Sequence, residues 1–164
     1  EGEKQNYFCP RDARVNDRDT LISLDEVYKQ LDACRARRRL LLVDACRNDP
    51  LSDLSRSRAT VKLESTTRPQ TEAVPAGIVA LFSCSAGQKA FEHPDLKHGI
   101  FFYQVIQALS GEAADATGSV SLNRFIDYVQ KETQSYARSR LDTLQVPQQK
   151  NDFSGSWILS TTAR

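Results

Sequence analysis

LLLVDACRNDP, residues 40–50, sets four apolar side chains without a break and then turns to an acid, a cysteine, an arginine and a proline-ended loop. The run is of strand length and shows no helical period, so it predicts a strand covered on both faces, as in a parallel sheet. In open sheets of that kind ligands bind beyond the carboxyl ends of the strands, which is where Asp44, Cys46 and Arg47 stand. Spacing alone leaves two readings of Cys46. Cysteine is among the residues most often buried as packing. Yet Asp44 and Arg47 bury badly without partners, so the chain is expected to meet solvent here and to expose the thiol with it.

Working outward from this run, Ser23 with Glu26 forms a capping-box pattern, and Leu24, Val27, Tyr28 and Leu31 share one helical face, predicting a helix over 24–35. Before it, Tyr7-Phe8-Cys9 ahead of Pro10 reads as the end of a strand. After it, 48–76 shifts to Ser, Thr, Arg, Pro and Glu without period and reads as a long loop. Ile78 to Cys84 is a second buried strand, and Cys84 stands at its end as Cys46 does on the first. A helix is expected over 99–109, closed by Gly111. Ser121 caps another whose apolar face is Leu122, Phe125, Ile126 and Val129. Trp157-Ile158-Leu159 reads as a final strand. The alternation predicts an α/β fold, a three-layer sandwich in which helices flank a mostly parallel sheet.

The 164 residues, 40% apolar and 26% charged, suffice for one compact core. Twenty-two basic residues against 21 acidic ones give a net charge of +1, so no global field draws nucleic acid or an anionic membrane. No apolar run approaches the roughly 18 residues that span a bilayer, and no leader pattern opens the chain. Cys9, Cys34, Cys46 and Cys84 are widely spaced, which fits neither a zinc cluster nor a disulfide framework. The expectation is a soluble cytoplasmic protein in a reducing compartment. The chain holds no methionine, position 1 included, so it is expected to continue a longer polypeptide with other domains. Its two histidines, His93 and His98, both lie in EHPDLKHG and read as exposed loop residues.

With Asp44-Ala45-Cys46-Arg47-Asn48 ending the first strand, the chain resembles the caspase-like clan of cysteine peptidases, and within it the bacterial metacaspases and paracaspases. NYFCPRDAR at 6–14, LISLDEVYKQL at 21–31, ALFSCSAGQKAFE at 80–92 and HGIFFYQVIQAL at 98–109 follow the family's order. The resemblance implies a partial catalytic domain with its first strands upstream. Its large-segment part is 1–50, its linker 51–76 and its small-segment part 77–164. It makes Cys46 the nucleophile and puts the catalytic histidine before Glu1. His98-Gly99 matches the segment entering a later helix and is not assigned as the base.

Two acids carry over as substrate-binding residues, Asp44 and Glu92. They imply protein or peptide substrates cut after arginine, and less readily after lysine, because a guanidinium relieves two facing carboxylates with forked hydrogen bonds. Arg56, Arg58, Lys62 and Arg68 in the linker are then candidate self-cleavage points. No cofactor and no obligatory metal is expected. Some metacaspases need calcium, but Asp49 and Asp53 are too ordinary to argue for a site. The alternative is a non-catalytic caspase-like interaction module. A receiver-like or nucleotide-binding domain fits less well, for lack of a glycine-rich phosphate loop after any strand.

Overall fold

A computed structural model of the chain describes residues 6–10, 12–14, 17–45, 74–151 and 153–162. Its centre is a three-stranded sheet ordered β3-β4-β8. Strand β3 (Arg39–Val43) and β4 (Ile78–Phe82) are parallel, with Leu40 opposite Val79 and Leu42 opposite Leu81. Strand β8 (Gln148–Asn151) returns antiparallel along the far side of β4. Among the described residues the sheet is mixed, with one parallel and one antiparallel pairing. The expected final strand, β9 (Ile158–Thr161), lies outside it and pairs with β7 (Ser119–Ser121).

The layers follow from side-chain alternation, since successive residues of a strand point to opposite faces. Val79 and Leu81 pack with Leu40 and Leu42 against α2 (Ile100–Gln107) and α3 (Leu122–Leu141), where Phe101, Phe125 and Val129 fill the core. Ile78, Ala80 and Phe82 pack with Leu41 and Val43 on the other face, against Leu24 and Tyr28 of α1 (Leu24–Ala33). All five residues of β4 are buried, which is why that strand carries no polar side chain. Phe101 and Phe125 are fully buried, each worth about 2–3 kcal/mol over exposure.

The helix ends differ from expectation in two places. Ser23 occupies the position before α1, but its hydroxyl makes no capping bond. Ser23 belongs to β2 (Ile22–Ser23), antiparallel to β1 (Tyr7–Phe8), and the Leu24 N–H goes to the Asn6 carbonyl at 2.9 Å. The capping geometry is displaced by strand pairing. Helix α2 ends at Gln107 and passes into a π-helical turn, Ala108–Glu112, where Gly111 has φ +120. That conformation favours glycine, and a Cβ there would come within 2.7 Å of Thr162 Cγ2. Ser121 caps α3 as expected, accepting from the Arg124 N–H at 3.4 Å.

Arg39 fastens the α1 layer to the sheet. Its guanidinium donates to the Leu31 carbonyl at 2.7 Å, the Asp32 carbonyl at 3.0 Å and the Ala76 carbonyl at 2.9 Å. A cation at the carboxyl end of a helix takes up carbonyls left without intrahelical partners. The same side chain thereby fixes the approach to β4, so that β3 and β4 end side by side.

Candidate functional site

The parallel strands terminate together. The Ser83 N–H donates to the Val43 carbonyl at 2.8 Å, carrying the ladder one step past β4. Beyond that step Asp44 and Ala45 face Ser83 and Cys84. The Ser83 hydroxyl accepts from the Ala45 N–H at 3.2 Å and hydrogen-bonds the Asp44 carboxyl. Ser83 is wholly buried, so its hydroxyl is held and acts as a fixed peg for the strand end. The Cys84 thiol is buried as well, 3.4 Å from the Ala45 carbonyl and 3.4 Å from that of Gln88. This is the packing reading, and neither Cys84 nor Cys9 or Cys34 takes part in a disulfide.

The second acid arrives on a separate ribbon. EHPDLKHG is not a plain loop. It forms β5 (Glu92–His93) and β6 (His98–Gly99), antiparallel, with Glu92 opposite Gly99 and His93 opposite His98. Directly opposed residues point to the same face, with Cβ positions about 5 Å apart. A Cβ on Gly99 would lie 2.5 Å from Asp44 Oδ2. The face that carries Glu92 is therefore the face turned to Asp44. The other face carries both histidines, and His93 packs edge-on against Tyr136 of α3, ring centroids 5.7 Å apart. His98 thus stands on the side of the ribbon turned away from Asp44.

Electrostatics agree with this geometry. The Asp44 carboxyl is pushed above the ordinary carboxylate range, first by burial and further by the negative charge of Glu92, while the Ser83 hydrogen bond opposes the shift. Glu92 is itself exposed. Two acids, one half-buried and one exposed, thus come near each other at the end of the sheet, and such a pair is relieved by a cation. Among the described residues no group of three or more His, Cys, Asp or Glu side chains comes together to hold a metal ion, and no helix is long and apolar enough to cross a membrane. Cys46 and residues 48–73 of the loop expected over 48–76 lie outside the described residues.

Ser83, Gly99 and Gln145 are the site residues that sequence reading passed over. Gln145 is wholly buried; its side-chain N–H donates to the Ser83 carbonyl at 3.1 Å and its side-chain carbonyl accepts from the Phe91 N–H at 3.0 Å. Glutamine in a polar loop carries no signal of burial, and Ser83, read as part of a buried strand, carried no sign that its hydroxyl would hold the neighbouring strand end. Only the His-Gly pair marked Gly99, and for a different reason.

Helices on both faces of a sheet, with polar groups gathered where its parallel strands end, define an α/β domain of the strand-end-site type. The model of the caspase domain family, Peptidase_C14, matches residues 1–154, and the chain belongs to this family of cysteine peptidases. A search of curated proteins finds no match to the chain.

Proposed function

We propose that the intact protein is an endopeptidase that cleaves after basic residues, arginine before lysine, with Cys46 as nucleophile and Asp44 and Glu92 holding the basic side chain. The observation that carries this reading is the convergence of the two acids. Asp44 is pegged by Ser83 at the end of β3, and Glu92 stands opposite the glycine that abuts it. A guanidinium between two carboxylates gains charge-assisted hydrogen bonds that an ammonium makes less well, and an acidic side chain is repelled.

Cys46 is next in sequence to Ala45, whose N–H and carbonyl are engaged by Ser83 and Cys84. Its thiolate attacks the carbonyl carbon after the bound basic residue. A histidine from upstream of residue 1 takes the thiol proton and gives it to the leaving amine, and water then hydrolyses the thioester. Without that histidine the thiol is mostly protonated at neutral pH, so residues 1–164 alone make a poor enzyme. In this reading 1–50 and 77–164 correspond to the large and small segments and 51–76 to the linker between them. Kinship with metacaspases and paracaspases is part of the same proposal.

The test compares cleavage of matched peptides bearing Arg, Lys, Asp or citrulline before the cut bond. Arginine is expected to exceed its neutral isostere citrulline by about 100-fold or more, the scale of a buried charge pair. Preference for aspartate, or equal cleavage of arginine and citrulline, defeats the reading.

A further inference from the structure

The two acids sit on different frames, and their spacing decides whether one guanidinium spans them. Asp44 is held by the Ser83 hydroxyl at the end of the sheet. Glu92 rides on the ribbon that begins just after Phe91, whose carbonyl accepts the N–H of Ile100 at 3.0 Å, closing the ribbon's base. Gln145, from the segment between α3 and β8, reaches both frames with one amide: Ser83 by its carbonyl and Phe91 by its N–H. Neighbouring bonds brace the same segment elsewhere. The Ser85 hydroxyl donates to the Val146 carbonyl at 2.9 Å, and the Val146 N–H donates to the Gln88 side chain at 3.0 Å. These bonds touch neither Ser83 nor Phe91.

We propose that Gln145 is a positioning residue for substrate selectivity: its buried amide sets the separation of Asp44 and Glu92, and so the fit of a guanidinium over an ammonium. The inference rests on the basic-residue reading of the site. A rigid planar fork depends on the placement of two acceptors more than a point charge on a flexible stem does. Loosening one frame against the other therefore costs arginine more than lysine. Gln145 touches neither substrate nor nucleophile, so the chemical step is left alone.

The experiment uses the intact protein, peptidyl-arginyl and peptidyl-lysyl amide substrates, and iodoacetamide as a side-chain-blind probe of Cys46. Gln145→Met keeps the length of the side chain and removes both hydrogen bonds. It is expected to lower the Arg:Lys ratio of kcat/KM by about tenfold, on the scale of misplacement effects. The loss falls on KM for the arginyl peptide, and the alkylation rate of Cys46 stays at the wild-type value. Gln145→Glu is the second variant. Burial disfavours its carboxylate, and the neutral acid keeps both bonds, so it is expected to recover most of the selectivity. An unchanged Arg:Lys ratio in a folded Gln145→Met protein overturns the proposal, as does an equal loss for both substrates with a lowered melting temperature. A wild-type protein that does not prefer basic residues defeats the reading of the site itself, and that failure shows before any variant is compared.

Discussion

Asp44→Asn is expected to abolish the preference for arginine while making the protein no less stable. In the intact enzyme kcat/KM for arginyl peptides should fall by about 100- to 1,000-fold, the cost of leaving a bound charge without its partner. Cleavage of the citrulline peptide should barely change. Asparagine keeps an oxygen for the Ser83 hydroxyl, so the strand end stays pegged. The stability sign follows from the raised pKa of Asp44, whose first cause is burial. A carboxyl with a higher pKa folded than unfolded costs nothing below its unfolded value. Its cost grows as pH rises from that ordinary value through the raised one, and is constant above. Asp44→Asn should thus raise the melting temperature at neutral pH, modestly because the group is half-exposed and screened, and the gain should vanish at acid pH. The same ionisation sets an acid limb on kcat/KM for arginyl peptides, at a pH above the ordinary carboxylate range, since kcat/KM reports the free enzyme. That limb should be missing from the variant. Thermal melts and pH–rate profiles on the two proteins check both signs.

Gly99→Ala carries the next largest effect. Gly99 has φ −57 and ψ 144, a backbone open to alanine, so the residue is glycine for want of space. The new Cβ would sit 2.5 Å from Asp44 Oδ2 and 3.6 Å from Asp44 Cγ, with the Phe91 carbonyl at 3.8 Å. What must yield is the short Asp44 side chain, which swings off its Ser83 bond. Loss of arginyl cleavage by about tenfold or more is expected, since ångström-scale misplacement has effects of that order. The fold should survive, because Gly→Ala at a compatible backbone reduces the entropy of the unfolded chain. A double-mutant cycle isolates the cause. In an Asp44→Asn background, Gly99→Ala should cost little more, whereas fully additive losses would show that Gly99 acts by another route.

The buried strands were legible because nothing polar interrupts them, and α3 because its apolar face keeps period from Leu122 to Val129. Strand β8 was not. QQKN has no alternation, and it forms a strand only because β4 offers it a ladder. The β5–β6 ribbon was missed for a similar reason, being two residues on each side of a tight connection in a stretch of charged residues. Yet that ribbon brings Glu92 to Asp44, a meeting that neither local pattern announces. Resemblance named the two acids, while strand pairing and the bare Cα of Gly99 account for their nearness. The sheet was expected to be mostly parallel because LLLV and IVALF both look doubly covered. They are covered on both faces by helices, but face cover does not dictate the direction of the next strand, and the edge of β4 is taken by a polar antiparallel strand.

The central claim is that Cys46 attacks the bond after a basic residue held by Asp44 and Glu92. Treating the intact protein with a peptidyl-arginyl chloromethylketone and mapping the adduct by mass spectrometry tests it most directly. The account predicts a single adduct on Cys46, lost in Cys46→Ala and slowed by Asp44→Asn. An adduct on Cys9, Cys34 or Cys84 instead, or labelling that persists undiminished in Cys46→Ala, would contradict it.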